Sequence, residues 1–125
     1  MASDSLTAIT QRAWYDLLPH EDEFDAIVCA GDMHGVAIAS AIASVLERPL
    51  MIVCVRDHAC VDSHIVTIGD VDPRMRFLYV DDWFSFGASK KRTFAYMNQS
   101  AKARIVATYA AATREYTPEK EEVTA

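Results

Sequence analysis

An apolar run that ends in two adjacent carboxylates, followed by small hydroxyl residues and a glycine, is the strongest chemical signal in this chain. It reads Phe77-Leu78-Tyr79-Val80-Asp81-Asp82-Trp83-Phe84-Ser85-Phe86-Gly87-Ala88-Ser89. The adjacent carboxylates can accept hydrogen bonds from a vicinal diol such as ribose. Gly87 lets the backbone approach an anion closely, and Ser85 and Ser89 add hydroxyl donors. A helix opening after the loop turns unpaired N–H groups and the positive end of its dipole toward that anion. A sugar phosphate meets both halves, with its phosphate in the loop and its hydroxyls on the acids.

Such a site needs a buried strand to carry the acids and neighbouring strands to flank it. Arg76–Val80 reads as that strand, and Ala88–Asn98 as the helix after the loop. Earlier, Asp25–Ala30 is continuously apolar after its first residue, and Leu50–Arg56 repeats the pattern. Runs buried on both faces belong to parallel sheets covered by helices. A helix rich in small residues fills the interval from Gly35 to about Glu47 and stops at Pro49. An amphipathic helix over Ser5–Leu18 precedes them, capped by Ser3, Asp4 or Ser5 and ended by Pro19. A fourth strand is expected within Lys102–Ala111, and a short one over His64–Ile68 inside a polar loop. Residues 113–125 read as a flexible tail. Strands alternating with helices predict an α/β, doubly wound, mostly parallel sheet flanked by helices, in the Rossmann-like manner.

Composition narrows the function classes. A chain of 125 residues makes one domain, and with 51% hydrophobic and 24% charged residues it can build its own core. A net charge of −6 argues against a general nucleic-acid or anionic-membrane binder. No stretch approaches the ~18 apolar residues of a membrane span. The N-terminus lacks the basic and apolar regions of a secretion signal, and three cysteines form no disulfide framework, so the expected location is cytoplasmic. All four lysines (Lys90, Lys91, Lys102 and Lys120) fall in the last third of the chain.

The acid-pair segment resembles the ribose-phosphate motif of the type I phosphoribosyltransferases. That motif has four apolar residues, two acids, two apolar residues, two small hydroxyl residues, glycine, a small residue and then Thr or Ser. Asp81 and Asp82 match the acids, Ser85 a hydroxyl position, Gly87 the glycine, Ala88 the small residue and Ser89 the last hydroxyl, while Phe86 departs from the pattern. The segment Asp25–Val36, with Gly31-Asp32-Met33-His34-Gly35 at its centre, resembles the family's pyrophosphate loop, although Met33-His34-Gly35 stands where Arg-Gly-Gly is frequent. Arg56 matches a cation at the next strand end. The resemblance covers roughly residues 24–110 in order.

It implies a phosphoribosyltransferase-like domain with residues 24–112 as core and residues 1–23 as an N-terminal helix and minimal hood. It implies transfer of phosphoribose from phosphoribosyl pyrophosphate (PRPP) to a nucleobase, with Mg²⁺ as cofactor and pyrophosphate as product. Asp81 and Asp82 would then hold the ribose hydroxyls directly or through metal-bound water. Ser85, Phe86, Gly87, Ala88 and Ser89 would hold the 5′-phosphate, and Gly31, Asp32, Met33, His34 and Arg56 the pyrophosphate. A homodimer is implied as well. Between Arg56 and Arg76 the chain is short and lysine-free, with Arg74 the best-placed cation in it, so a non-catalytic PRPP-binding or regulatory module is the alternative.

Other constellations compete. Cys54, His58, Cys60 and His64 have zinc-compatible types, but their spacing is looser than structural zinc sites use, and Cys54 and Cys29 read as small core residues. An apolar strand ending in acids also resembles the second motif of P-loop ATPases, whose G-x-x-x-x-G-K-[ST] partner is absent here. His34 serves either as a loop donor or as a surface residue. Tyr79, Trp83, Phe84 and Phe86 read as packing, and Lys90-Lys91-Arg92 as a solvated face.

Overall fold

The computed structural model describes residues 5–55, 63–82 and 88–119. Among them the sheet has six strands: β1 (Ala26–Ala30), β2 (Leu50–Val55), β3 (Ser63–Ile68), β4 (Arg76–Asp81), β5 (Arg104–Ala110) and β6 (Glu115–Pro118). Their order is β3-β2-β1-β4-β5-β6. The four central strands run parallel, and β3 and β6 close the two edges antiparallel. Three α-helices accompany them: α1 (Leu6–Leu17), α2 (Met33–Leu46) and α3 (Ala88–Gln99).

Period-two alternation divides the sheet into two cores. Ile27, Cys29, Leu50, Ile52, Leu78 and Val80 point to the side of α1 and α2. Ala26, Val28, Met51, Val53, Phe77 and Tyr79 point to the opposite side, where Met97 of α3 is buried. Covered on both faces, β1 is buried at every position, which is why its sequence is continuously apolar. Ala39 and Ala43 let α2 lie close on the sheet. Asp32 caps the start of α2, and Glu47 ends it in the left-handed region at φ 54°.

Charged clamps fix the outer layers. At the amino edge, Asp25 accepts hydrogen bonds from Arg76 Nη2 (3.0 Å) and Nε (3.1 Å). On the α1 side, Asp16 accepts from Arg114 Nη2 (2.7 Å) and Nε (2.9 Å) and from the Tyr109 hydroxyl (2.7 Å). Both carboxyls lie below the usual range, each held there first by its arginine.

The expected short strand over His64–Ile68 forms, one residue longer, and two other expectations change. The short strand inside the polar loop is a full antiparallel partner of β2, running from Leu50↔Ile68 to Val55↔Ser63. The tail does not begin at residue 113, because Glu115–Pro118 pairs with β5. Tyr116 explains this, since its ring stacks on His20 at 3.8 Å and its hydroxyl meets Glu23 Oε1 at 3.2 Å. Arg74 stands in the turn before β4, at the amino edge, ion-paired with Asp72 at 2.8 Å. A six-residue strand spans about 20 Å, so Arg74 lies a strand length from the carboxyl edge.

Candidate functional site

The chain winds outward from β1 through α2 to β2, then resumes with β4 on the other side of β1. The carboxyl ends of β1 and β4 therefore form the topological switch point, where open α/β sheets bind ligands. The register Val28↔Tyr79 brings Gly31 and Asp82, each three residues further on, to the same edge.

Gly31 crosses tightly over the end of β2. Its N–H donates to the Val53 carbonyl at 2.9 Å, and a Cβ at this position would collide with Cys54 Sγ. Asp32 follows, and its Oδ1 accepts from Gly35 N–H at 2.7 Å. A Cβ on Gly35 would sit 2.8 Å from that oxygen, so the cap needs glycine there. Asp32 is exposed, and its capping bond engages one carboxylate oxygen among the described residues.

Asp81 ends β4 and Asp82 follows it, both half-buried. Their carbonyls accept from Ala111 N–H (2.9 Å) and Ala112 N–H (3.0 Å), which holds the acid pair to the backbone after β5. Tyr79 records how these acids converge. Its hydroxyl is pushed far above the ordinary tyrosine range, first by burial and then by the charges of Asp81, Asp32 and Asp82 among others. Cys29 is raised to about 12, chiefly by burial, and is a core residue and not a nucleophile.

A cleft of about 370 Å³ opens at this edge, with Gly31, Asp32 and Cys54 on one side and Ser89, Arg92 and Thr93 of α3 on the other. Thr93 is buried and donates to the Ser89 carbonyl at 2.8 Å, which satisfies its hydroxyl within the helix. Neighbouring Lys90 instead lies over the Phe94 ring at 5.3 Å, and Phe94 packs edge-on against Tyr79.

The structure therefore gathers Gly31, Asp32 and Ser89 into one cleft and sets Asp81 and Asp82 at the adjoining strand end. Met33 and His34 occupy the first turn of α2, exposed and outside the cleft lining. Ala88 opens α3. Arg56, Ser85, Phe86 and Gly87 lie outside the described residues, as do His58 and Cys60. Cys54 and His64 face each other across β2 and β3. The described cleft lining takes nothing from α1 or the 3-10 helix that follows it, where the minimal hood is expected. Arg92 is the residue that sequence reasoning misses. Helical spacing from Ser89 could have found it, because i and i+3 share a face.

Among the described residues, no group of three His, Cys, Asp or Glu side chains could hold a metal ion. No described helix is long and apolar enough to cross a membrane.

No protein-family model matches the sequence, and no curated protein matches it. Solved structures do match the fold. The UMP synthase of Leishmania donovani aligns at a TM-score of 0.63 and 22% identity, over 84% of this chain and 21% of that one. The orotate phosphoribosyltransferase of Francisella tularensis aligns at 0.64 and 15% identity, over 84% of this chain and 50% of that one. The adenine phosphoribosyltransferase of Thermoanaerobacter pseudethanolicus gives 0.56 and 16%, over 83% and 67%. The chain has the type I phosphoribosyltransferase fold. It spans about a fifth of the first of these chains and half of the second.

Proposed function

We propose that this chain binds PRPP with Mg²⁺ and transfers its phosphoribosyl group to a nucleobase, releasing pyrophosphate. The observation that carries the reading is that strand order and register bring the Asp81-Asp82 pair and the Gly31-Asp32 loop to one edge at the switch point of this fold. Asp81 and Asp82 take the ribose hydroxyls, residues 85–89 the 5′-phosphate, and residues 31–34 with Arg56 the pyrophosphate. The C1′–O bond to the diphosphate breaks and its electron pair leaves with pyrophosphate. Positive charge builds at C1′ and the ring oxygen, as in glycoside cleavage. A base nitrogen then supplies the pair for the new C1′–N bond and gives up its proton to the departing pyrophosphate. Asp81 and Asp82, with the ligand's phosphates, would hold Mg²⁺, which would supply charge compensation for the leaving group.

Calorimetry with PRPP tests the reading. Binding is expected to require Mg²⁺ and to fall at least about tenfold in D81N/D82N, since two charged acceptors are lost. Affinity that survives this change with the fold intact overturns the assignment.

A binding-only module is the second reading. It is favoured by the absence of lysine before Lys90 and by a cleft lining without α1 residues. Pyrophosphate release, measured with a panel of purines, pyrimidines and orotate, separates the two. Magnesium-dependent PRPP affinity without release for any base supports the module. A cytoplasmic homodimer belongs to the same proposal.

A further inference from the structure

We infer that Arg92, projecting from α3 into the cleft opposite Gly31 and Asp32, binds the diphosphate of the ligand. The inference rests on the proposed function and adds a described residue to the cation, Arg56, that the reading already sets on the diphosphate.

Diphosphate carries several negative charges, while the described side of its site offers Asp32 and, nearby, Asp81 and Asp82. The loop itself holds Met33 and His34, both exposed and outside the lining. Beyond Arg56, which the proposed function also sets on the diphosphate, a fixed cation among the described residues must come from outside this loop. The described arginines supply one by elimination. Arg48 donates to the Glu21 and Leu46 carbonyls, Arg74 pairs with Asp72, Arg76 with Asp25 and Arg114 with Asp16. Arg12 and Arg104 are engaged too. Arg92 alone among the described arginines has no such protein partner, and it is the described arginine that lines the cleft.

Ser89 of the same helix also lines the cleft, so the two probes below decide between the diphosphate and the 5′-phosphate, and the inference takes the diphosphate because Arg92 faces its proposed loop. The cleft joins Arg92 to the ends of β1 and β2, on the side of the Gly31-Asp32 loop. Thr93 and Met97 on α3 are buried, which anchors the helix against the sheet and directs Arg92 from a rigid base. A guanidinium also fits phosphate oxygens two at a time, which an ammonium cannot do.

The test titrates the full chain with inorganic pyrophosphate and, separately, with ribose 5-phosphate, each with Mg²⁺. R92Q is expected to lose about 10- to 100-fold in pyrophosphate affinity and to keep ribose 5-phosphate affinity within about twofold. R92K is expected to fall between R92Q and the unsubstituted chain, a graded rescue that a merely structural role would not give. Thermal unfolding of R92Q verifies that the fold is intact. If R92Q keeps its pyrophosphate affinity while the unsubstituted chain binds both probes, the inference about Arg92 fails and the proposed function stands. Equal losses for both probes, with the fold intact, overturn the assignment to diphosphate. If the unsubstituted chain binds neither probe, the proposed function falls and the inference with it.

Discussion

At Gly31, the proposed function and the packing impose the same requirement. A loop that holds an anion needs bare backbone, and the close passage over Cys54 leaves no room for a side chain. The two causes separate experimentally. G31A is expected to destabilise the fold by about 1–3 kcal/mol through overpacking. In a C54A background the penalty should shrink, because the colliding sulfur is gone, and a denaturant double-mutant cycle measures the coupling. Additive losses would show that Cys54 is not the cause. The thiols differ as well. Cys29 is fully buried with its titration pushed up to about 12, and Cys54 is half-buried. A thiol reagent at pH 8 is expected to label Cys54 well before Cys29 in the folded protein.

Among the elements, α1 and α2 show how local chemistry fixes the layers. Glu47 ends α2 with φ 54° and ψ 47°, a left-handed conformation that costs an ordinary side chain and suits glycine. E47G is expected to raise stability by about 0.5–1 kcal/mol in chemical denaturation. Helix α1 is held through Asp16, whose side chain is 17% exposed and clasped by Arg114 and Tyr109. The arginine hydrogen bond is the first cause of its lowered titration. A carboxyl whose folded value lies below its unfolded one stabilises the fold fully above the unfolded value, near pH 4. It loses that contribution as pH falls through the folded value. D16N is therefore expected to cost about 1–3 kcal/mol at pH 7 and to flatten the acid limb of the stability curve, followed by circular dichroism. An unchanged acid limb would remove Asp16 from the account.

The whole molecule couples these parts through one sheet. Its strand order sends the chain to opposite sides of β1, and that reversal opens the carboxyl edge between the Gly31 loop and the acid pair. A ligand held there touches segments far apart in sequence, so its binding should stabilise the domain as a unit. With PRPP and Mg²⁺ at a hundredfold excess over the dissociation constant, folding is expected to gain about 2.7 kcal/mol, seen as a rise in Tm. Magnesium without the sugar phosphate should do far less, because the described acids form no complete ion cage.

Much was legible from residue order alone. The buried strands β1, β2 and β4 announce themselves as unbroken apolar runs, since both of their faces are covered. The acid pair and its following loop stand out because an anion site needs small residues and bare backbone beside a strand end. The edge strands were harder to see. β3 alternates half-buried and exposed at its start, and β6 depends on His20 and Glu23, which lie some ninety residues earlier and hold Tyr116. Arg92 looked like one more surface charge, and Arg74 like a cation near the site. Only the tertiary fold reverses them, because a strand length removes Arg74 to the amino edge while α3, laid across the sheet, carries Arg92 into the cleft. Local sequence determines what each segment becomes, and the crossing of distant segments decides which charges meet.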